Sequence, residues 1–247
     1  IGYESQKRTT TGYQNTSIGT YTLWYNTTGI NNVAIGSEAL SQNTTANFNI
    51  GIGNEALKSN TTGHTNIAVG YLALGSSTTT QESVAVGGEA LRRVTTGNWN
   101  TAIGKSAGED ITTGYKNTII GTYAFKDATT ANQNIAIGYG AAWSTTTSTG
   151  NIAIGNDALK TNTTGSYNIA IGYGALDECT TAVGNTVAIG RLALSALTTG
   201  GENVAVGKAA NYQVTTGYSN TSIGFEAGYS LTTQSSNTFV GSMAGAW

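Results

Sequence analysis

The sequence predicts an all-β fold, a parallel β-solenoid with coils of seventeen residues. Glycine recurs every seventeen residues along the whole chain, and one extra residue intervenes only once. Proline is absent from all 247 residues, and charged residues are 10% of them. A strict repeat of this kind predicts one structural unit stacked about fifteen times, with each copy contacting its two neighbours. We therefore expect a single repeat domain over residues 1–247, shaped as a rod.

The repeating glycine marks one fixed position in each coil. Its copies are Gly2, Gly19, Gly36, Gly53, Gly70, Gly87, Gly104, Gly121, Gly138, Gly155, Gly172, Gly190, Gly207, Gly224 and Gly241. Invariant glycine indicates a backbone angle or a close approach that a β-carbon would not tolerate. The one extra residue falls near residues 182–186, where a corner can bulge without shifting the strands.

A short strand is predicted just before each glycine. The residues one and three places before it are β-branched, as Ile35 and Ile137 illustrate for the position directly before the glycine. Alternate residues of a strand share one face. We expect this pair to form the buried face. The residue between them is small, as at Ala34, with Ile119 and Phe239 as exceptions, and we expect it to face outward. The change Ile137→Asp should then break the rod by placing a charge in its core.

A second short strand is predicted three residues after the glycine. Alanine is nearly constant there and leucine usually follows it, as in Ala39 and Leu40. A helix of ordinary length cannot fit beside a strand and two turns in seventeen residues. We expect leucine to point inward and both rows of alanine to point outward. Stacked coils would then form two parallel ladders with a spacing of about 4.8 Å, which the lack of proline favours.

Two polar corners complete the predicted coil. One carries adjacent threonines, such as Thr95 and Thr96, and the other carries asparagine, such as Asn32 and Asn134. Stacked identical amides can hydrogen-bond from coil to coil. Each coil offers only about three good core side chains, whereas ordering seventeen residues costs on the order of 25 kcal/mol. We therefore predict a homo-oligomer in which alanine rows pack chain against chain, with a homotrimer preferred.

The strand motif resembles a known family. Residues 134–138 read Asn-Ile-Ala-Ile-Gly, which resembles the head repeats of YadA-like trimeric autotransporter adhesins, and residues 162–172 resemble repeats of phage tail-fibre proteins. The resemblance covers the full chain. It implies a left-handed parallel β-roll and a homotrimer. It also implies an extracellular, cell-surface or virion fibre that contacts a receptor or host surface, and a glycan is one ligand of this kind.

Little in the sequence points to an enzyme or a cofactor. His64 is the only histidine, so a histidine cluster or a paired-histidine metal site cannot form within one chain. A net charge of -2 argues against a nucleic-acid partner. No apolar run approaches the roughly twenty residues of a membrane-spanning helix. We expect no cofactor and no metal. A solenoid enzyme of the pectate-lyase type should have clustered acids and arginines around a cleft, which we do not find.

Acids recur two residues after the glycine. They are Glu4, Glu38, Glu55, Glu89, Asp157 and Glu226. This row would form a cation site if three chains brought its copies together, because hard cations require several oxygen ligands. A solvated row of acids is the simpler interpretation.

Aromatic side chains at variable positions are the candidate binding residues, because the repeat does not require them. They are Trp24, Trp99, Trp143, Tyr212 and Tyr229. Exposed rings suit sugars or protein surfaces; the alternative is that they cover apolar surface or fill grooves between chains. We expect a change at Trp143 to leave folding intact. The favoured function is a non-enzymatic structural and adhesive fibre segment, and the alternative is an ice-binding solenoid that uses its threonine ladders.

Overall fold

The computed structural model describes residues 1–180 and 184–246. Within these residues the chain is an all-β parallel β-solenoid without helices, and the coils are seventeen residues long, as the sequence predicts. The chain divides into two compact units, Ile1–Thr122 and Tyr123–Trp247. Both units are built from the same coil.

Each coil contributes one strand of three residues, which ends immediately before the repeating glycine. The first unit contains β1 (Thr16–Ile18), β2 (Val33–Ile35), β3 (Ile50–Ile52), β4 (Ile67–Val69), β5 (Val84–Val86), β6 (Thr101–Ile103) and β7 (Thr118–Ile120), and the second contains β8 (Ile135–Ile137), β9 (Ile152–Ile154), β10 (Ile169–Ile171), β11 (Val187–Ile189), β12 (Val204–Val206), β13 (Thr221–Ile223) and β14 (Thr238–Val240). Within each unit, consecutive strands pair in parallel with equivalent residues opposite each other, as Ala34 lies opposite Gly51.

The one longer coil keeps the strand register, as predicted. Ala170 of β10 pairs with Ala188 of β11, although these residues are eighteen apart in the chain. The predicted bulge falls partly on residues 181–183, which lie outside the described residues. The extra residue is therefore accommodated without any shift of the paired strands.

The two faces of the strand are opposite to the sequence prediction. Ala34 and Ala136, at the centres of β2 and β8, are fully buried. Ile35 and Ile137 are only half-buried and lie on the other face. The prediction that the β-branched pair fills the core is therefore wrong, and so is the prediction that alanine faces outward. The other alanine column, three residues after the glycine, is also inside the coil, since Ala39 is fully buried.

The reason is the small space inside the coil. Leu40, four residues after the glycine, is fully buried, as predicted. Its side chain fills the interior of the coil opposite the strand. A β-carbon built on Gly51, at the centre of β3, would lie 3.3 Å from Cγ of Leu40. Only one methyl-sized side chain therefore fits between the strand and the leucine. Two β-branched side chains cannot occupy this space at native packing density.

The second predicted strand is not formed in the described residues. Glu38 and Leu40 have φ angles of 58° and 52°, so the backbone alternates through the left-handed region and is not extended. The N–H of Leu40 donates to the carbonyl of Ala56 in the next coil at 3.0 Å, whereas the N–H of Ser41 donates to Glu38 within its own coil at 3.2 Å. The segment is thus a ladder of turns. Half of its donors join neighbouring coils and half tighten the turn.

A reciprocal change of size accompanies the bulky centre of β7. Ile119 replaces the central alanine in β7 and is fully buried. Gly108 stands where most coils have leucine, and a β-carbon on it would lie 2.8 Å from Cδ1 of Ile119. In the coil of Ile119, the bulk lost at the leucine position is thus replaced from the strand. Near the end of the second unit, a β-carbon on Gly245, six residues after Phe239, would lie 2.2 Å from the ring of this half-buried phenylalanine.

This exchange predicts strong coupling between Ile119 and Gly108. We expect Gly108→Leu to destabilise the protein by about 3 kcal/mol because it overpacks the coil. Ile119→Ala should cost about 3 kcal/mol because it leaves a cavity. The double variant restores the common alanine and leucine and should recover most of the loss, which thermal unfolding of all four proteins would measure. Additive losses in the double variant would contradict the proposed packing.

The asparagine column joins successive coils through hydrogen bonds between its side-chain amides and backbone groups. The backbone N–H of Asn49 donates to Oδ1 of Asn32 at 2.9 Å, and Nδ2 of Asn32 donates to the carbonyl of Ala46 at 2.8 Å. Asn151 and Asn134 repeat the first bond at 2.9 Å. Each asparagine therefore satisfies buried backbone groups of the next coil, which would otherwise cost about 1–3 kcal/mol each.

The threonine and glycine columns also join successive coils. Oγ1 of Thr95 donates to the carbonyl of Thr112 at 3.2 Å, whereas Thr96 is exposed. Gly36 and Gly138 have φ angles of 120° and 135°, a region that only glycine adopts readily. A β-carbon on Gly138 would lie 2.4 Å from the carbonyl oxygen of Gly155. The glycine column thus allows neighbouring backbones to approach.

Candidate functional site

The turn side of the coil carries the charged and aromatic side chains that the repeat does not require. Residues two and five places after the glycine are neighbours on this surface. Among the described residues these positions form four ion pairs, which are Lys7–Glu4, Lys58–Glu55, Arg92–Glu89 and Lys160–Asp157. Most of the predicted acid row is therefore paired with basic side chains of the same surface.

Lys58 shows how these pairs extend between coils. Its Nζ lies 2.8 Å from a carboxylate oxygen of Glu38 in the preceding coil and 3.0 Å from one of Glu55. The hydrogen bond to Glu38, followed by that to Glu55, raises the pKa of Lys58 above its ordinary value. The three groups remain partly exposed, so each pair stabilises the fold by less than about 1 kcal/mol. Their main effect is to neutralise the carboxylates.

Trp24 occupies the same surface in an aromatic cluster. Its ring lies 5.5 Å from that of Tyr21 and 4.4 Å from that of Tyr25, both in edge-on arrangements. The guanidinium of Arg8 lies 5.2 Å from the Trp24 ring and 4.4 Å from the Tyr25 ring. Cation–π and aromatic contacts of this kind hold the rings in place. Tyr21 and Trp24 therefore replace an ion pair with a ring pair at the same two positions.

Trp143, Tyr212 and Tyr229 form two further ring pairs in the second unit. Trp143 lies 5.2 Å from the ring of Tyr123, and the ammonium of Lys126 lies 5.5 Å from the Trp143 ring. Tyr212 and Tyr229 stack at 5.3 Å with an angle of 12° between their planes. All three candidates are half-buried. The structure thus places each of them against another aromatic ring and not alone on the surface.

Trp99 lies on a different corner of the coil and is 48% exposed. Its Nε1 donates to a carboxylate oxygen of Glu82 at 3.3 Å, and the ammonium of Lys116 lies 5.5 Å from its ring. Trp99 is not in the same cluster as Trp24. The five predicted binding residues are therefore spread over several separate places.

The sequence pattern does not single out the neighbours that complete the Trp24 surface. Tyr21 stands two residues after a glycine, where several other coils have an acid. Arg8 and Gln42 come from adjacent coils. The spacing of three residues between Tyr21 and Trp24, the same as that between the paired acids and bases, is the signal that could have identified the pair.

Other sequence features do not gather into a site. No group of three or more His, Cys, Asp or Glu side chains that could hold a metal ion occurs in the part of the chain that the structure describes. His64 is half-buried, and its Nδ1 lies 3.2 Å from Oγ1 of Thr65. Four asparagines match glycosylation acceptors in sequence but are fully buried in a second amide row; they are Asn26, Asn43, Asn60 and Asn162.

Cys179 lies inside a coil and is expected to be unreactive. The thiol is fully buried, and this burial raises its pKa to about 12. Because the thiolate is the reactive form, alkylation by iodoacetamide at pH 8 should be about a thousandfold slower than in the denatured chain. Mass spectrometry of samples quenched over time would give both rates. Equal rates would contradict the burial of this side chain.

The residues that the structure describes include no helix long and apolar enough to cross a membrane. Comparison of the sequence with family models, with curated proteins and with solved structures finds no match.

Proposed function

We propose that this chain is a segment of a homotrimeric fibre, located outside the cell or on a virion, which presents a binding face and has no enzymatic activity. The observation that carries this proposal is the outward face of the strands. In place of the predicted alanine rows, two columns of β-branched side chains cover this face. In the first unit one column runs through Val33, Ile50, Ile67 and Val84.

The second column of this face runs through Ile35, Ile52, Val69 and Val86. Ile67 is 37% exposed and Ile103 is 41% exposed, and both columns contain only Ile, Val and Thr. At a strand spacing of about 4.8 Å, the seven strands of the first unit present this surface over about 29 Å. The second column is apolar in all seven strands, whereas the first has threonine in three of them, at Thr16, Thr101 and Thr118. An extended and largely apolar exposed surface is typical of a protein–protein interface.

A second copy of the chain is the occupant that we propose for this face. An identical chain would bring the same regular row of branched side chains, and the burial would be repeated at each coil. The preference for three chains rests on the resemblance to trimeric adhesin heads. The ion pairs lie on the turn side, away from this face, so association would not require their desolvation.

Sedimentation equilibrium on the chain at micromolar concentration tests this proposal. We expect a mass three times the 25.3 kDa of one chain. A monomer would refute the association, and a stable dimer would refute the trimer while retaining the interface.

The ice-binding alternative has weaker support. The first threonine of each pair uses its hydroxyl within the fold, as Thr27 Oγ1 donates to the carbonyl of Thr44 at 3.0 Å. The second column, which includes Thr28 and Thr45, is exposed. A flat array of free hydroxyls would require at least two such columns. A clear thermal-hysteresis signal would reverse this ranking.

A further inference from the structure

We propose that a cleft beside Trp24 binds the ring of a neutral sugar. The cleft has a volume of about 310 Å³, and it is lined by Glu4, Tyr21, Trp24, Glu38, Ser41 and Gln42. This volume lies at the lower end of the range for ligand sites, which suits one or two sugar rings. The inference rests on the proposed fibre function, because it names a ligand class for the face that the fibre would present.

The aromatic wall of the cleft is held in position before any ligand arrives. Tyr21 and Trp24 meet edge-on with their ring centres 5.5 Å apart. Tyr3 packs against Tyr21 with centres 5.6 Å apart, and Arg8 lies over Trp24 and Tyr25. The C–H face of a pyranose is apolar and can pack on such rings at little entropic cost to the protein.

The polar groups of the cleft favour a neutral ligand over a cation. Glu4 is paired with Lys7, and Glu38 with Lys58 at 2.8 Å. These carboxylates are therefore neutralised, yet each oxygen has two lone pairs and can still accept bonds from hydroxyls. Hydroxyls of a sugar match this arrangement, whereas an organic cation would find its countercharge already occupied by lysine.

One further polar group is available near the rings. Gln42 is exposed, and its amide can both donate and accept. The cleft thus combines an ordered aromatic wall with donors and acceptors that suit vicinal hydroxyls.

Saturation-transfer NMR on the intact chain tests the site. The probes are methyl β-glucopyranoside, methyl β-galactopyranoside, methyl α-mannopyranoside and N-acetylglucosamine, each at about 10 mM, enough to populate a site with a Kd of about 1 mM. We expect transfer to the ring protons of at least one sugar. No transfer to any of the four would overturn the inference, as would binding of tetramethylammonium without binding of any sugar.

Variants locate the binding and provide a matched control. Trp24→Leu should weaken the responding sugar about tenfold, because the ring that packs on the sugar is lost. Trp143→Leu removes a tryptophan that has a similar tyrosine and cation around it, and it should leave the affinity unchanged. Equal weakening by both changes, or by neither, would overturn the assignment.

A surface variant covers the case in which Trp24→Leu does not fold. Gln42 is exposed, so Gln42→Leu should preserve the circular dichroism spectrum and weaken the sugar severalfold. Unchanged affinity in this variant would count against the cleft.

The mass of each sample distinguishes the two proposals: a trimer that binds no sugar refutes only this inference, and a monomer that binds sugar refutes only the fibre.

Discussion

Gly87→Ala is expected to destabilise the protein severely, whereas Gly88→Ala should have almost no effect. Gly87 has a φ of 135°, and a β-carbon on it would lie 2.4 Å from the carbonyl oxygen of Gly104 in the next coil. Its neighbour Gly88 has no atom within 4 Å of the position that its β-carbon would occupy. Strained φ and backbone clash act together only at Gly87, so we expect a loss of about 3 kcal/mol or more.

Thermal unfolding followed by circular dichroism measures this difference. A loss of about 3 kcal/mol corresponds to a midpoint lowered by about 10 °C in a chain of this size. The two variants add the same methyl group at adjacent positions, so composition and general surface effects are matched. Equal midpoints for Gly87→Ala and Gly88→Ala would contradict the close stacking of the glycine column.

The second large effect is expected at two neighbouring residues of β8. Ala136 is fully buried, so Ala136→Asp would place an unpaired charge inside the coil and should cost about 4 kcal/mol. Ile137 is half-buried and faces away from the coil interior. We therefore expect Ile137→Asp to preserve the fold of each coil, contrary to the result predicted from the sequence.

Ile137→Asp should instead weaken the proposed trimer. Association would desolvate a carboxylate on each of three chains, which we expect to raise the dissociation constant about a hundredfold. Circular dichroism and sedimentation, measured on the same samples, separate loss of fold from loss of association. If Ile137→Asp unfolds the chain and Ala136→Asp does not, the two faces of the strand are assigned the wrong way round.

The positions of the strands could be predicted because they depend on local chemistry that repeats. A β-branched pair around one residue, followed by glycine, favours three extended residues in every copy. Asn49 and its equivalents could be assigned to a ladder because parallel, in-register stacking brings identical side chains together. The leucines, such as Leu40, were also placed correctly inside the coil.

The turn side could not be predicted from residue preferences. Leucine and glutamate rarely adopt positive φ, yet Leu40 and Glu38 do so here. Coil-to-coil hydrogen bonds impose this conformation, because they offer partners to alternate N–H groups of the segment. Gly140, Gly174 and Gly108 occupy equivalent left-handed positions in other coils, and they were the available signal that this segment is not a strand.

The candidate site was predictable only in part. Trp24 stands out because the repeat does not require an aromatic residue there. The cleft beside it depends on Glu4 and Glu38, which come from neighbouring coils, and on lysines that neutralise them. Such a combination exists only after the coils are stacked.

The sequence by itself determined the seventeen-residue coil, the parallel register and the columns of glycine, asparagine and threonine, because each follows from a repeated local pattern. Only the tertiary structure decided which face of the strand is inside. Side chains that alternate with a period of two define two faces of a strand, but the period is the same whichever face is turned toward the interior of the coil. The choice depends on the space across the coil, where Leu40 leaves room for the methyl group of alanine and for nothing larger.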